Sequence, residues 1–419
     1  MKLLILTSYW EPERVASSYL TDNLNEAFAA ADMETVVYAP MPTRGVSDEV
    51  RAAYRHRERE TLAGGKRIVH RFPMFGERRN VVLRALRYVL VCFCQFFAGC
   101  FARDARRCDV LYVASTPPIQ GAMAALVKMV RGIPFIYGLQ DIFPDSLVST
   151  GIAKKGGLVW KVGRVIENFT YRHADKIIVI SEDFKQNIMA KGVKEEKIEV
   201  VYNWVDEQAV VPIERKDNVL FSRYGLDPDI FYLCYAGNIG LTQNMDGLLE
   251  VMEALQQEQP DIHLVLVGDG VYINKVKEII ADRQLRNVHL LPFQPYEEIA
   301  HVFSLGDVGL VISKPGVGAN SVPSKTWSIM AAGRPVIACF DANELRTIVE
   351  QNHCGVFVPA GDMAAFKAAV LRLYHDRPLC QKMGCNGRQF VKSHLSKEKG
   401  TGEYVRIIKS LKETTNSTN

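Results

Sequence analysis

Lys325 sits beside Ser321, Pro323 and Ser324 in the run over 320–340, N-S-V-P-S-K-T-W-S-I-M-A-A-G-R-P-V-I-A-C-F. Proline suits the first turn of a helix, where its missing N–H costs nothing, and small hydroxyl residues crowd the same end. A lysine next to the unpaired N–H groups at the positive pole of a helix suits a phosphate-sized anion, a nucleotide diphosphate above all. The pattern predicts a helix that stops at Gly333, a block to its continuation at Pro335, and a buried strand at Val336-Ile337-Ala338. A capped surface helix with a solvated lysine fits the same residues, so the neighbouring segments have to decide. Upstream, a strand pattern runs into Gly237-Asn238-Ile239-Gly240 and another into Gly268-Asp269-Gly270, each ahead of a helical pattern. Either glycine turn alone says little, because any doubly wound domain puts small residues there. Together with the lysine segment they predict backbone N–H groups gathered around one crevice.

The elements that would hold these residues alternate along the chain. Strand patterns fall at 3–7, 35–39, 109–114, 135–138, 176–180 and 198–202, with helical stretches such as 18–31 and 158–172 between them. After a poorly periodic stretch the alternation resumes at 231–236, 262–267, 288–291, 308–312, 336–339 and 355–358. Two-sided apolar strands separated by helices predict parallel sheets covered on both faces, and 419 residues exceed one hydrophobic core. The expected division is a first doubly wound domain over 1–205, a linker over 206–229, a second such domain over 230–392, and over 393–419 a helix returning toward the first domain with a disordered tail.

Hydrophobic content of 48% and charged content of 23% describe an ordinary globular protein. Nine cysteines with no C-x-x-C pair argue against a disulfide framework or structural zinc and for a reducing compartment. The apolar start, Met1 to Leu6, is too short for a signal peptide before Trp10-Glu11-Pro12-Glu13 interrupts it, and reads as the first strand. Between Arg44 and Arg107 there are fifteen Lys and Arg against six Asp and Glu, an excess of nine, whereas the whole chain carries only +4. Within this basic region 81–101 is strongly apolar and flanked by arginines. Its cleanest run, 88–101, is too short to span a bilayer and suits either a core helix or an interfacial one. In the interfacial reading Arg78, Arg79, Arg84 and Arg87 face anionic lipid. Nucleic-acid binding is not expected, because no recognition motif accompanies the charge.

Five motifs occur in order: Asp141-Ile142-Phe143-Pro144-Asp145, Ala174-Asp175-Lys176-Ile177-Ile178-Val179-Ile180-Ser181, Val201-Tyr202-Asn203-Trp204-Val205-Asp206, Gly237-Asn238-Ile239-Gly240 and Pro323-Ser324-Lys325. On these the chain resembles the retaining GT-B glycosyltransferases of bacterial surface-polysaccharide assembly, particularly the L-fucosamine-type and colanic-acid-type transferases. The resemblance implies an α/β GT-B fold, with two Rossmann-like doubly wound parallel-sheet domains facing a cleft. It implies a nucleotide-sugar donor, a UDP-sugar, held by the second domain. The acceptor, a polyprenyl-diphosphate-linked sugar or other glycan, would lie on the first. The enzyme would be cytoplasmic and peripheral, at the anionic inner face of the cell membrane.

Carried over by position, Gly237, Asn238 and Gly240 lie by the diphosphate, Gly268 lies by the nucleotide, and Lys325 pairs with a phosphate; Ser321 and Ser324, at the helix end beside Lys325, are expected at the donor as well. The backbone around Phe293 and Gln294 reads the base. Relatives often carry two glutamates where this chain has Asn320 and Ser328, and a serine is too short to hold both ribose hydroxyls. Asp141 is the expected catalytic group of the first domain, and Glu13, Arg14 and Asp145 are expected to contact the acceptor. No cofactor or metal is expected: Asp227-Pro228-Asp229 spells D-x-D but precedes its strand and reads as a turn. A nucleotide-sugar 2-epimerase on the same architecture, or a non-catalytic sugar-nucleotide-binding subunit, is the alternative.

Overall fold

The computed structural model describes residues 1–13, 18–77, 80–149, 153–318 and 322–417. Arg14, Arg78, Arg79, Asn320 and Ser321 lie outside the described residues. The chain forms two compact units, one of residues 1–202 with 400–419 and one of residues 203–399.

The first unit carries β1 (Lys2–Leu6), β2 (Glu34–Pro40), β3 (Arg59–Leu62), β4 (Arg67–Phe72), β5 (Val110–Ala114), β6 (Phe135–Leu139), β7 (Lys176–Val179) and β8 (Ile198–Val200). Their order in the sheet is β3-β4-β2-β1-β5-β6-β7-β8, parallel except for the antiparallel β3–β4 pair. Leu4, Val36, Leu111 and Phe135 project from these strands into one core, as their two-sided apolar character requires. β3 and β4 were not among the expected strands. In β4, R-I-V-H-R-F, polar residues mask the pattern, and Arg71 enters the interior because Glu60 of β3 accepts from its Nε at 3.0 Å.

The Val81–Phe101 helix is capped by Asn80, whose side chain accepts from the N–H groups of Val82 and Leu83. Gln95 donates its Nε2 to the carbonyls of Thr7 (2.7 Å) and Tyr38 (3.1 Å), which fixes one face of this helix to the ends of β1 and β2. It is long and apolar enough to cross a membrane by length and composition, but this attachment makes it a layer of the first unit. Arg87, expected to face lipid, is fully buried: its Nε donates to Phe75 O at 3.1 Å and its Nη2 to Thr43 Oγ1 at 3.2 Å. The final helix, Lys397–Ser417, enters this unit at Gly400, setting Tyr404 edge-on against Tyr112 and Lys412 3.1 Å from Asp109. Residues 414–417, expected without structure, continue that helix.

The second unit carries β9 (Phe231–Ala236), β10 (Ile262–Val267), β11 (Val288–Leu291), β12 (Val308–Ile312), β13 (Val336–Phe340) and β14 (Gly355–Pro359), all parallel, in the order β11-β10-β9-β12-β13-β14. The chain winds outward from β9 to β11, then crosses back to β12, so the strand order reverses between β9 and β12. Ligands of open α/β sheets bind at the carboxyl ends of strands beside such a reversal. The expected linker folds onto this unit. Leu220 and Phe221 are buried, Asn218 donates to His301 O at 2.8 Å, and Arg215 pairs with Asp307 at 2.6 Å. Scattered apolar anchors without periodicity gave that stretch its linker-like look.

Candidate functional site

Everything that converges on the reversal comes from loops at the carboxyl ends of β9, β10, β12 and β13. Gly237 follows β9 with φ +134 and Gly268 follows β10 with φ +142, a region open to glycine and strained for other residues. A Cβ on Gly268 would stand 2.2 Å from Gly237 O, so the two turns touch through bare backbone. Their N–H groups do not face a crevice, as the sequence had suggested. Gly237 N donates to Val267 O (2.9 Å), Gly268 N to Leu291 O (3.2 Å) and Gly240 N to the side chain of Gln243 (3.0 Å). The glycines act by permitting close approach. Asn238 is exposed at the tip of its turn, and its carbonyl accepts from Tyr235 Oη at 2.7 Å.

Lys325 occupies the space so cleared. A Cβ on Gly237 would come within 2.9 Å of its Nζ, which lies 3.7 Å from the centre of the Tyr235 ring. Among the described residues no carboxylate or hydrogen-bond acceptor reaches this ammonium; the aromatic face is its partner. Burial pushes its pKa down to about 7 from the usual 10.5. The helix it opens, Lys325–Ala331, starts two residues later than Pro323 suggested, and Ser324 sits at the cap position without a side-chain capping bond. With seven residues and no such cap, this helix is a support for the lysine more than an anion site of its own.

Lys325, Pro323, Thr242, Gln243, Ser313 and Phe340 are among the residues lining a cavity of about 160 Å³. Ser313 Oγ is buried there, without a partner among the described residues. A buried hydroxyl of this kind is normally satisfied, so one lining the same cavity as an uncompensated ammonium marks a place completed by something else. The loop after β12 is braced by Asp341, which accepts from the N–H groups of Gly316 (3.0 Å) and Gly318 (2.7 Å). An oxyanion is the species that would satisfy an ammonium, a hydroxyl and a partly apolar wall together.

The remaining residues of interest in this unit are Phe293, Gln294, Ser324, Ser328 and the turn at Asp227. Phe293 follows β11, at the edge of the sheet, with 77% of its surface exposed and its ring free for stacking. The Gln294 side chain is spent on Tyr224 Oη (2.9 Å) and Pro292 O (2.7 Å), which leaves backbone for recognition. Ser324 is exposed and Ser328 half-buried on the short helix. Asp227 Oδ1 accepts from Asp229 N at 2.9 Å, the hydrogen bond of an Asx turn.

In the first unit Asp141 lies two residues beyond the end of β6 and is exposed. Desolvation holds its carboxyl above the usual range, against the lowering effect of hydrogen bonds from the Ser146 side chain and the Ile142 backbone. Asp145 is tied down instead. Burial would raise its pKa, but Lys191, 2.7 Å away, outweighs that and leaves it lowered; the same ammonium reaches Glu167 at 2.9 Å. Glu13 is buried, with Oε1 accepting from the N–H groups of Thr43 and Arg44, each at 2.7 Å, and Oε2 without a partner. Glu13 thus braces the loop after β2, while Asp141 is the carboxylate left open at a strand end. Tyr235 and Ser313 are not singled out by the sequence because both read as ordinary strand-end residues; an aromatic two positions before Gly237 was the available signal.

The profile described as Glycosyl transferases group 1 matches residues 217–390, and that described as Glycosyl transferase 4-like domain matches residues 19–204. The putative colanic acid biosynthesis glycosyl transferase WcaI of Escherichia coli (strain K12) is 24% identical over 98% of this chain and 100% of its own length. The probable glycosyltransferase WbjE of Pseudomonas aeruginosa is 25% identical over 70% of this chain and 72% of its own. Among solved structures, Anabaena Alr3699/HepE in complex with UDP and glucose superposes with a TM-score of 0.72 at 16% identity, covering 98% of this chain and 100% of that one. Sucrose-phosphate synthase from Thermosynechococcus elongatus gives 0.76 at 16% identity, covering 98% of each chain. Two adjoining family matches that span most of the sequence, on two parallel-sheet units wound as described, place this chain among the group 1 glycosyltransferases with the GT-B fold.

Proposed function

We propose that the chain transfers a sugar from a UDP-sugar to a lipid-linked or polysaccharide acceptor in bacterial surface-polysaccharide assembly, with retention of anomeric configuration. The observation that carries the donor half of this reading is Lys325, an ammonium held against Gly237 and Tyr235 with no anionic partner among the described residues. A donor diphosphate supplies that partner. When the bond from the anomeric carbon to the β-phosphate oxygen breaks, the phosphate takes the bonding pair, and a cation already in place stabilises the charge without reorganisation. The acceptor oxygen then bonds to the anomeric carbon on the same face of the sugar, and its proton passes to the departing phosphate oxygen. Removal of one such preorganised contact raises the barrier by about 3–4 kcal/mol. The UDP and glucose named for HepE, and the colanic acid named for WcaI, support the donor and the pathway class.

In this reading Phe293 stacks on the base, Asn238 and Ser324 border the diphosphate, and Asp141 orients the acceptor hydroxyl or the sugar. The chain works at the inner face of the cell membrane, where a polyprenyl-diphosphate acceptor would be found, and the outward stripe of the Val81–Phe101 helix supports this. No metal takes part, so chelation with EDTA leaves the rate unchanged; a loss restored by Mg²⁺ would contradict that. A panel of UDP-sugars with the full chain tests the reaction itself. UDP release that rises on addition of a lipid-linked acceptor, with an axial or equatorial product matching the donor, is the expected result. Epimerised donor without UDP release would replace the reading by an isomerase.

A further inference from the structure

The Gln120–Arg131 helix packs between the Val81–Phe101 and Leu158–His173 helices on one face of the first unit. Fourteen of the twenty-one exposed large apolar side chains among the described residues lie on these three helices. On the first, Val82, Phe93, Phe97 and Phe101 stand on one stripe, opposite Gln95 and Val91, which face the sheet. With 100° per residue the whole stripe falls in an arc of about 120°. Met129 and Val130 continue it on the middle helix, and Leu158, Val162 and Val165 on the third. Scattered exposed apolar residues are ordinary; a run across three neighbouring helices is not.

Charge says what covers this face. The three helices hold a single acidic residue, Glu167, and it is buried against Lys191 and Tyr171. Exposed cations stand at the margins: Lys154, Lys155 and Lys161 at one end of the third helix, and Arg103, Arg106 and Arg107 after the first. A second copy of the chain would set these cations against one another, whereas anionic phospholipid complements them and accepts the apolar stripes. We infer that the helices Val81–Phe101, Gln120–Arg131 and Leu158–His173 form one flat plate that lies on an anionic bilayer, with the third helix as essential as the first. This deepens the membrane part of the proposed function and rests on it.

The test is co-sedimentation of the full chain with vesicles of phosphatidylglycerol and phosphatidylcholine, and with phosphatidylcholine alone, with UDP-sugar hydrolysis and circular dichroism followed on the same samples. Val162→Asp with Val165→Asp, and separately Phe93→Asp with Phe97→Asp, should each lower partition into the anionic vesicles by about tenfold or more while hydrolysis persists. Lys154→Glu with Lys155→Glu, which leaves the apolar face untouched, should lower it by about tenfold on anionic vesicles alone. Wild-type partition by the Val162/Val165 variant would reduce the surface to a single helix and overturn the plate. So would a wild type that ignores anionic vesicles at low salt, or one that sediments without lipid as a dimer which these substitutions dissociate. Loss of hydrolysis with vesicle binding intact would instead count against the transferase reading.

Discussion

An ammonium enclosed beside Tyr235, with no carboxylate to compensate it, loses solvation and gains only a ring face in return. That imbalance is why burial brings Lys325 down to about 7. Its folded pKa lies below the unfolded 10.5, so the unfolded chain binds the extra proton between these values, and the enclosure of Lys325 destabilises the unit most below pH 7 and least above 10.5. An anion bound at Nζ reverses this by favouring the charged form. Asp141 poses a different case, a carboxyl at a strand end kept above its usual range by desolvation but not tied into an ion pair as Asp145 is. Asp141→Asn should lower sugar transfer by about a hundredfold with UDP affinity unchanged, measured by product formation and by calorimetry. Near-normal transfer would leave Asp141 as a cap of the turn through Ser146.

Strands of two-sided apolar character were legible in the sequence because nothing else explains a run such as Phe231–Ala236 or Val336–Phe340. β4 was not, since Arg67, His70 and Arg71 break its pattern, and the partners that let arginine enter the sheet, Glu60 and Glu11 O, lie elsewhere in the chain. Arg87 was legible as a cation but not as a buried one, because Thr43 and Phe75 receive it from the loops after β2 and β4. The glycine turns were found correctly and their use was not: the approach of Gly268 to Gly237 O depends on strand register, which single-sequence patterns do not fix. Gly268→Ala should therefore destabilise the second unit by about 3 kcal/mol, from strained φ and a backbone clash, and shift its urea midpoint downward. Gln95→Leu should weaken the first unit by about 1–3 kcal/mol, because it strips a donor from Thr7 O and Tyr38 O; an unchanged midpoint would mean that the helix is held by its apolar contacts alone.

Across the whole molecule the two units differ in how they carry charge. The first concentrates basic residues and an exposed apolar face, whereas the second encloses the Lys325 ammonium beside an aromatic ring, with no ion-pair partner among the described residues. Salt should separate these functions: raising ionic strength screens exposed cations and should release the chain from anionic vesicles, while UDP binding at the enclosed lysine changes far less. Equal sensitivity of both would mean that the nucleotide is held by surface charge. The proposed donor site depends on Lys325 as the diphosphate cation, and isothermal titration of UDP into the full chain at pH 8, in two buffers of different ionisation enthalpy, reads it directly. A lysine near pKa 7 that becomes charged on binding should take up close to one proton per UDP, roughly, from the buffer. Lys325→Met should abolish that uptake and weaken UDP binding by about 10- to 100-fold. Equal heats in the two buffers for the wild type, or wild-type affinity in Lys325→Met, would contradict it.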